Sequence, residues 1–314
     1  MKAVVRRTVL PLAKATLALC EKGIISLRKS DSGEPYPPVF IIGPPRSGTT
    51  LLYQVLVDRY AFGYFSNWMA QFPRSPIAAS WLHKLRSRTK GPPGDYTSEW
   101  GTTKGPMGPH ETGSFWYRWF PNGDQVYVPA GATPKSSLVE LRQEVAGMSR
   151  VFGASMIFKN VYNSMRIAPI LEAFPEACFI VCRRNPVENA RSLLKGRIRN
   201  QSKERWFSVP PREVAEIQRH PYWDQVVEQV YYTEQQIARD EQEFGSERFH
   251  HVRYENFCED VHRTLAGIHS FFEKRKVKVD IRGEVPPRFP VSDGSKDDTG
   301  DYERIVEKVR QLWG

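Results

Sequence analysis

The sequence predicts an α/β fold: a parallel sheet flanked by helices, carrying a loop of the P-loop type. Three observations predict it. An apolar run, Val39-Phe40-Ile41-Ile42, passes through Gly43-Pro44-Pro45-Arg46-Ser47-Gly48 into the helical pattern Leu51–Leu56. A second run, Cys178–Cys182, ends in Arg183-Arg184 before Asn185-Pro186 opens another helix, with Pro186 near its first position. Strand-then-helix patterns recur over 39–59, 155–174, 178–198 and 249–273, the rhythm of parallel strands with helices on both faces.

The first loop aims several backbone N–H groups and a helix N-terminus at one point, which suits an anionic phosphate. Its spacing, Gly43-x4-Gly48, equals that of the nucleotide-triphosphate P-loop, but position 49 holds threonine where that loop needs lysine. The cation has moved to Arg46. Arg46, Ser47, Thr49 and Thr50 together supply more anion donors than a plain strand-to-helix turn needs. A Mg²⁺-dependent P-loop enzyme also needs an Asp at the end of a hydrophobic strand. Here the best such strand ends in arginine, which suits another phosphate.

Further along, Ser155-Met156-Ile157-Phe158 reads as a strand ending in Lys159-Asn160, and Met165, Ala168 and Leu171 mark the helix after it. Phe249–Phe257 reads as a strand with the exit Arg253-Tyr254-Glu255-Asn256-Phe257. The next helix, about Asp260 to Glu273, places Val261, Leu265, Ile268 and Phe272 on one face. Helices are also expected over Trp223–Phe244 and Tyr302–Trp313, the latter after a loop at Val291–Thr299. Ligands of such sheets bind beyond the carboxyl edge, so Arg46, Lys159, Arg184 and Tyr254 should meet there. Residues 61–150, rich in Gly, Pro and Trp, read as a long irregular insertion of the binding-lid kind. Trp68, Trp81, Trp100, Trp116 and Trp119 give it an aromatic surface suited to an acceptor.

The stretch Pro45–Leu51, the Arg184-x7-Ser192 spacing, the Lys159-Asn160 to Phe174-Pro175 layout and the Arg253–Phe257 exit together resemble sulfotransferases. These enzymes use 3′-phosphoadenosine 5′-phosphosulfate (PAPS), and the likeness is greatest to the stand-alone bacterial, carbohydrate and tyrosylprotein branch. It covers roughly 39–60, 155–198 and 249–273, and implies a single sulfotransferase domain over 31–314. Pro45, Arg46, Ser47, Gly48, Thr49 and Thr50 would cradle the 5′-phosphosulfate. Arg184 and Ser192 would hold the 3′-phosphate, with Tyr254 near the adenosine. Arg46 and Lys159 would be catalytic, facing the leaving oxygen. The branch often carries a P-x-E-D-E-like element near Pro109-His110-Glu111-Thr112, and this chain matches it only in part, so Glu111 and His110 are the candidates for general base. Glu111 as the cap of a helix near Gly113 is the competing reading. A P-loop kinase or NTPase acting on a small molecule, or an inactive nucleotide-binding protein, are the alternatives in function.

Composition agrees with a globular enzyme: 314 residues, 40% hydrophobic, eight tryptophans and a formal charge of +10. A polyanionic co-substrate accounts for a positive field, and no zinc-finger, RNP or recognition-helix pattern points to nucleic acid. No histidine spacing suggests a metal site, so none is expected. Residues 1–30 form a basic amphipathic helical pattern, read as packed on the domain or touching a membrane surface, and too interrupted to cross one. Cys178 and Cys182 lie roughly 13 Å apart on one strand, too far to bridge. A cytoplasmic protein is expected, although Asn200-Gln201-Ser202 forms a glycosylation sequon. The acceptor is left open among glycan, lipid and peptide hydroxyls.

Overall fold

A computed structural model describes residues 21, 23, 36–87, 94, 96–99, 102–200, 202–291 and 300–314. Its framework is a parallel sheet with a helix after each strand. Strand β1 (Val39–Ile42) leads to helix α1 (Thr49–Arg59), and β2 (Gly63–Tyr64) to α2 (Pro76–Ser87). Helix α3 (Lys135–Phe152) precedes β3 (Met156–Lys159), which is followed by a 3₁₀ turn, Val161–Met165, and α4 (Ile167–Ala173). Strand β4 (Cys178–Arg183) leads to α5 (Pro186–Arg199) and the long α6 (Tyr222–Phe244). Strand β5 (Phe249–Arg253), α7 (Val261–Lys274) and α8 (Tyr302–Trp313) complete the order.

The spatial strand order is β2-β3-β1-β4-β5, and every pairing within this five-stranded sheet is parallel; a separate two-stranded antiparallel ribbon pairs Ser98–Glu99 with Thr102–Thr103. Strand β1 is central, with Val39 opposite both Ile157 of β3 and Cys178 of β4. Successive connections run to opposite sides of β1, so a crevice opens at its carboxyl end.

Alternation along each strand builds two cores. Phe40, Ile42, Phe158, Phe179 and Val181 face α3 and α4, whereas Val39, Ile41, Ile157, Ile180 and Cys182 face α1 and α7. Phe40 is the hub of the first, its ring centroid within 5.3–6.2 Å of those of Trp116, Phe158, Phe174 and Phe179. Burying each such side chain contributes roughly 1.5–3 kcal/mol, so the strand that carries the phosphate loop is anchored in the core.

Residues 61–150 depart from the irregular segment expected. They contain α2 and the 18-residue α3, which pack on one another, and they supply a large part of the first core. Leu138, Leu141, Val145 and Met148 fall on the buried face of α3 at helical spacing. The Gly/Pro punctuation on either side hid that period. The five tryptophans do not make one surface. Trp116 is fully buried, Trp68 and Trp119 are partly buried against the core, and Trp81 is half exposed, while Trp100 lies outside the described residues. Arg118 ties this segment down, donating twice to the Glu144 carboxylate of α3 at 2.7 Å and once to Pro73 O.

The expected N-terminal helix over 1–30 lies outside the described residues, apart from Glu21 and Gly23. The Glu21 carboxylate accepts from Ile77 N at 2.6 Å and Ala78 N at 3.0 Å, capping α2 from 56 residues away. The strand expected over 249–257 ends at Arg253, and Tyr254 already opens a short helix, Tyr254–Glu259. The terminal helix begins and ends as expected, and most of the loop before it lies outside the described residues. Among the described residues, no helix is long and apolar enough to cross a membrane.

Candidate active site

The loop from β1 to α1 is held from three sides. Ser164, in the turn after β3, accepts from Gly43 N at 3.1 Å and donates back to Gly43 O at 3.2 Å. Asn189 of α5 donates to Pro45 O at 2.6 Å, and Arg184, at the exit of β4, donates to Arg46 O at 3.4 Å. Each support comes from the exit of a strand beside β1, so the sheet itself fixes the loop. Gly43 has no room for a side chain: a Cβ there would lie 2.3 Å from Cys182 O.

Three residues of the loop have positive φ, Gly43 at 146°, Arg46 at 70° and Gly48 at 95°. A non-glycine residue in that region is held at a cost of order 1–3 kcal/mol, and such strain collects at functional sites. Gly48 stands at the N-cap of α1 with no side-chain cap, so the first N–H groups of α1 face the crevice unscreened. A Cβ on Gly48 would lie 2.3 Å from Cδ2 of Tyr254. Gly48→Ala is therefore expected to cost roughly 2–4 kcal/mol through strain and overlap, read as a lower melting temperature together with lost nucleotide affinity. An unchanged melt would show that the ring gives way freely.

A cavity of about 400 Å³ opens above the loop. Pro45, Arg46, Gly48, Thr49 and Thr50 line it from β1 and α1, Lys159 from β3, Arg184 from β4 and Tyr254 from β5, with Glu111 opposite. The four strand exits expected to converge do so. Arg184 lies over the Tyr254 ring at 4.8 Å, a cation–π contact that aims the guanidinium into the crevice. Ser47 is fully buried behind the loop. Ser192 does not line the cavity; its Oγ accepts from Arg46 Nε at 3.2 Å, so it braces that guanidinium from α5.

Electrostatics favour a polyanion. Burial pushes the Arg46 guanidinium below its ordinary pKa, and the neighbouring Arg184 pushes further the same way. Arginine stays charged regardless, so two like charges and a buried lysine face one space. Glu111 is the carboxylate that lines the cavity, and it is already ion-paired with Lys159 Nζ. The donor set therefore fits a polyanionic ligand. No group of three or more potential metal ligands occurs among the described residues.

His110 sits beside the cavity and does not line it. Its Nδ1 accepts from Thr112 N at 2.8 Å, which places the proton of the neutral ring on Nε2. Burial lowers its pKa, Glu111 opposes and Lys159 reinforces the shift. Thr112 stands at the N-cap of a four-residue helix, Gly113–Trp116, and Glu111 gives that helix no side-chain cap. The carboxylate points into the cavity instead.

Leu51, Val161, Tyr162, Phe207 and Ser208 also line the cavity, and sequence reasoning missed them. Phe207 and Ser208 lie in a stretch with no motif, and the left-handed φ of 71° at Ser208 leaves no mark on residue choice. Asn189 carried a readable signal: an amide on the apolar face shared with Leu193.

Comparison with known proteins agrees with this geometry. A family profile described as "Sulfotransferase family" matches residues 37–275. Two curated relatives, each named omega-hydroxy-beta-dihydromenaquinone-9 sulfotransferase Stf3, from Mycobacterium bovis and Mycobacterium tuberculosis, are 27% identical over 197 residues, covering 57% of this chain. The chain spans about half the length of those relatives, 50%. The crystal structure of sulfotransferase STF9 from Mycobacterium avium matches 96% of this chain and 76% of its own, with a TM-score of 0.53 at 15% identity; that likeness concerns the fold. A profile match over three quarters of the sequence, on a strand order and loop that serve the same site, settles the kinship: the chain belongs to the sulfotransferase family.

Proposed function

We propose that the protein transfers a sulfuryl group from PAPS to the hydroxyl, or amine, of an acceptor. The observation that carries this reading is the convergence of Arg46, Lys159 and Arg184 from three strand exits on one cavity with an uncapped helix N-terminus. When bound, the nucleotide supplies an activated sulfuryl group and a phosphate leaving group. The bond between acceptor oxygen and sulfur forms as the bond from sulfur to the 5′-phosphate oxygen breaks, in line, as in phosphoryl transfer.

The chain's own residues divide the work. Backbone N–H groups of 45–50 and the hydroxyls of Thr49 and Thr50 hold the 5′ end. Arg46 and Lys159 neutralise charge as it grows on the leaving oxygen. Arg184, with Ser192 behind Arg46, holds the 3′-phosphate, and Tyr254 closes on the adenosine side. Glu111 takes the acceptor proton. Losing the Glu111 charge releases Lys159 from its ion pair at the moment that the leaving oxygen needs a cation.

Acceptors are proposed among glycan, lipid and peptide hydroxyls; the name of the curated relatives supports a lipid. Cys178, Cys182 and Cys258 are free and buried, which supports a cytoplasmic setting. The test is nucleotide preference. Adenosine 3′,5′-diphosphate is expected to raise the melting temperature by several degrees at 100 Kd, corresponding to about 2.7 kcal/mol of linkage. A shift with ATP–Mg²⁺ and none with the diphosphate would point to a P-loop kinase.

A further inference from the structure

The cavity has two unlike halves. One is the phosphate loop with Arg184 and Tyr254. The other carries the apolar side chains: Val161 and Tyr162 follow Lys159 in the chain, and Phe207, which packs on α5 and α6, lines the same cavity. Two residues beyond Phe207, Val209 packs in one apolar cluster with Val126, Val161 and Met165, to which Tyr162 adds its ring.

The corner that presents Phe207 is fixed. Three successive carbonyls each accept a side-chain donor: Gln229 Nε2 donates to Phe207 O at 2.9 Å and to Val209 O at 2.8 Å, and Trp206 Nε1 donates to Ser208 O at 3.1 Å. Behind them lies Arg197, fully buried. It donates to Gln225 Oε1 at 2.7 Å and Gln229 Oε1 at 3.2 Å, and lies 4.9 Å from the Trp206 ring centroid. These partners are neutral, so the fold retains a buried cation at a desolvation cost. Its visible effect is to orient Gln229 and Trp206, and through them Phe207 and Ser208 at φ 71°.

We propose that Val161, Tyr162 and Phe207 form the acceptor wall, and that the acceptor is a hydroxyl carried on an apolar body, an aromatic or isoprenoid-type alcohol. The inference rests on the sulfotransferase reading and adds the substrate class. A saccharide presents several hydroxyls, each of which needs a partner when desolvated. Beyond Glu111, whose Oε1 is paired with Lys159 and which serves the reacting hydroxyl, this wall offers the Tyr162 phenol and the Ser208 hydroxyl. An alcohol on an apolar body asks for one polar contact, at its reacting oxygen, and gains from the rest of the wall by burial.

The test is calorimetric titration of the full chain, with and without adenosine 3′,5′-diphosphate, using 2-naphthol and geraniol against cellobiose and methyl glucoside. The apolar alcohols are expected to bind at least about tenfold tighter than the saccharides. Phe207→Ala should weaken them by about tenfold or more and leave the diphosphate affinity within about twofold, with Phe207→Trp restoring most of the loss. Saccharides binding as tightly, no binding of either class, or an unchanged naphthol affinity in Phe207→Ala would overturn the proposal. So would a parallel loss of diphosphate affinity, which would assign Phe207 to the nucleotide. Failure of the wild-type chain to bind the diphosphate, with naphthol still captured through Phe207, would instead remove the nucleotide reading and keep the wall.

Discussion

Arg46→Ala is expected to lower kcat by on the order of 10²–10³-fold, the usual effect of removing one preorganised transition-state donor. Four observations give Arg46 this weight. Its backbone is held at φ 70°, its Nε is anchored on Ser192, its carbonyl is gripped by Arg184, and its guanidinium lines the cavity. A side chain constrained at that many points reorganises little as charge develops. Arg184→Ala should act differently. Its contact with the 3′-phosphate persists through the reaction, so the loss should appear as weaker binding of PAPS and adenosine 3′,5′-diphosphate, with kcat at saturation largely kept. Arg46→Lys keeps the charge and loses the Nε contact with Ser192, so its kcat should fall between wild type and Arg46→Ala. Steady-state kinetics on the three variants separates these roles; a pure KM effect in both alanine variants would cancel them.

The parts of the site that rest on backbone chemistry were legible in the sequence. Gly43 and Gly48 mark a loop that lets no side chain in, and the apolar runs before Arg46, Lys159 and Arg184 mark buried parallel strands, because only a strand covered on both faces reads as uninterrupted Val, Ile, Phe and Cys. The helices after β4 and β5 were equally readable from Pro186 and from the spacing of Val261, Leu265 and Ile268. Residues 61–150 were harder. Trp116 looked like a surface aromatic of a lid, yet it packs on Phe40 in the core, with Phe115 edge-on against it. An aromatic in a Gly/Pro-rich stretch carries no sign of which side it faces; only the tertiary partner decides.

The supports of the site were hidden for a different reason. Ser164, Asn189 and Gln229 act through hydrogen bonds to carbonyls 20 to 144 residues away, and a hydrogen bond of that kind has no sequence period. Buried Arg197 is similar. In α5 it reads as one more basic residue in a charged helix, and its role follows from lying between two helices whose packing is set by Leu193, Leu194, Val226 and Val230.

Glu111→Gln is expected to lower kcat by roughly 10²–10⁴-fold, the range for removing a general base. The affinity for adenosine 3′,5′-diphosphate should stay within about twofold. The structure ranks Glu111 above its neighbour on atomic grounds. Glu111 lines the cavity and touches Lys159, whereas His110 has committed Nδ1 to Thr112 N and holds its one proton on Nε2, so it enters the reaction as a donor. Burial also keeps the imidazole from gaining charge easily, since its pKa is displaced downward. Glutamine preserves size and still accepts from Lys159, so the effect isolates basicity from position. Lys159 is buried and loses its counter-charge in this variant, which favours an anion beside it; the diphosphate affinity should therefore not fall. His110→Asn should retain kcat within a few-fold, because asparagine keeps an oxygen that can accept from Thr112 N. Loss of turnover in His110→Asn with a nearly normal Glu111→Gln would move the base to the imidazole. Near-normal turnover in both would mean that the acceptor proton leaves by a route that uses neither side chain.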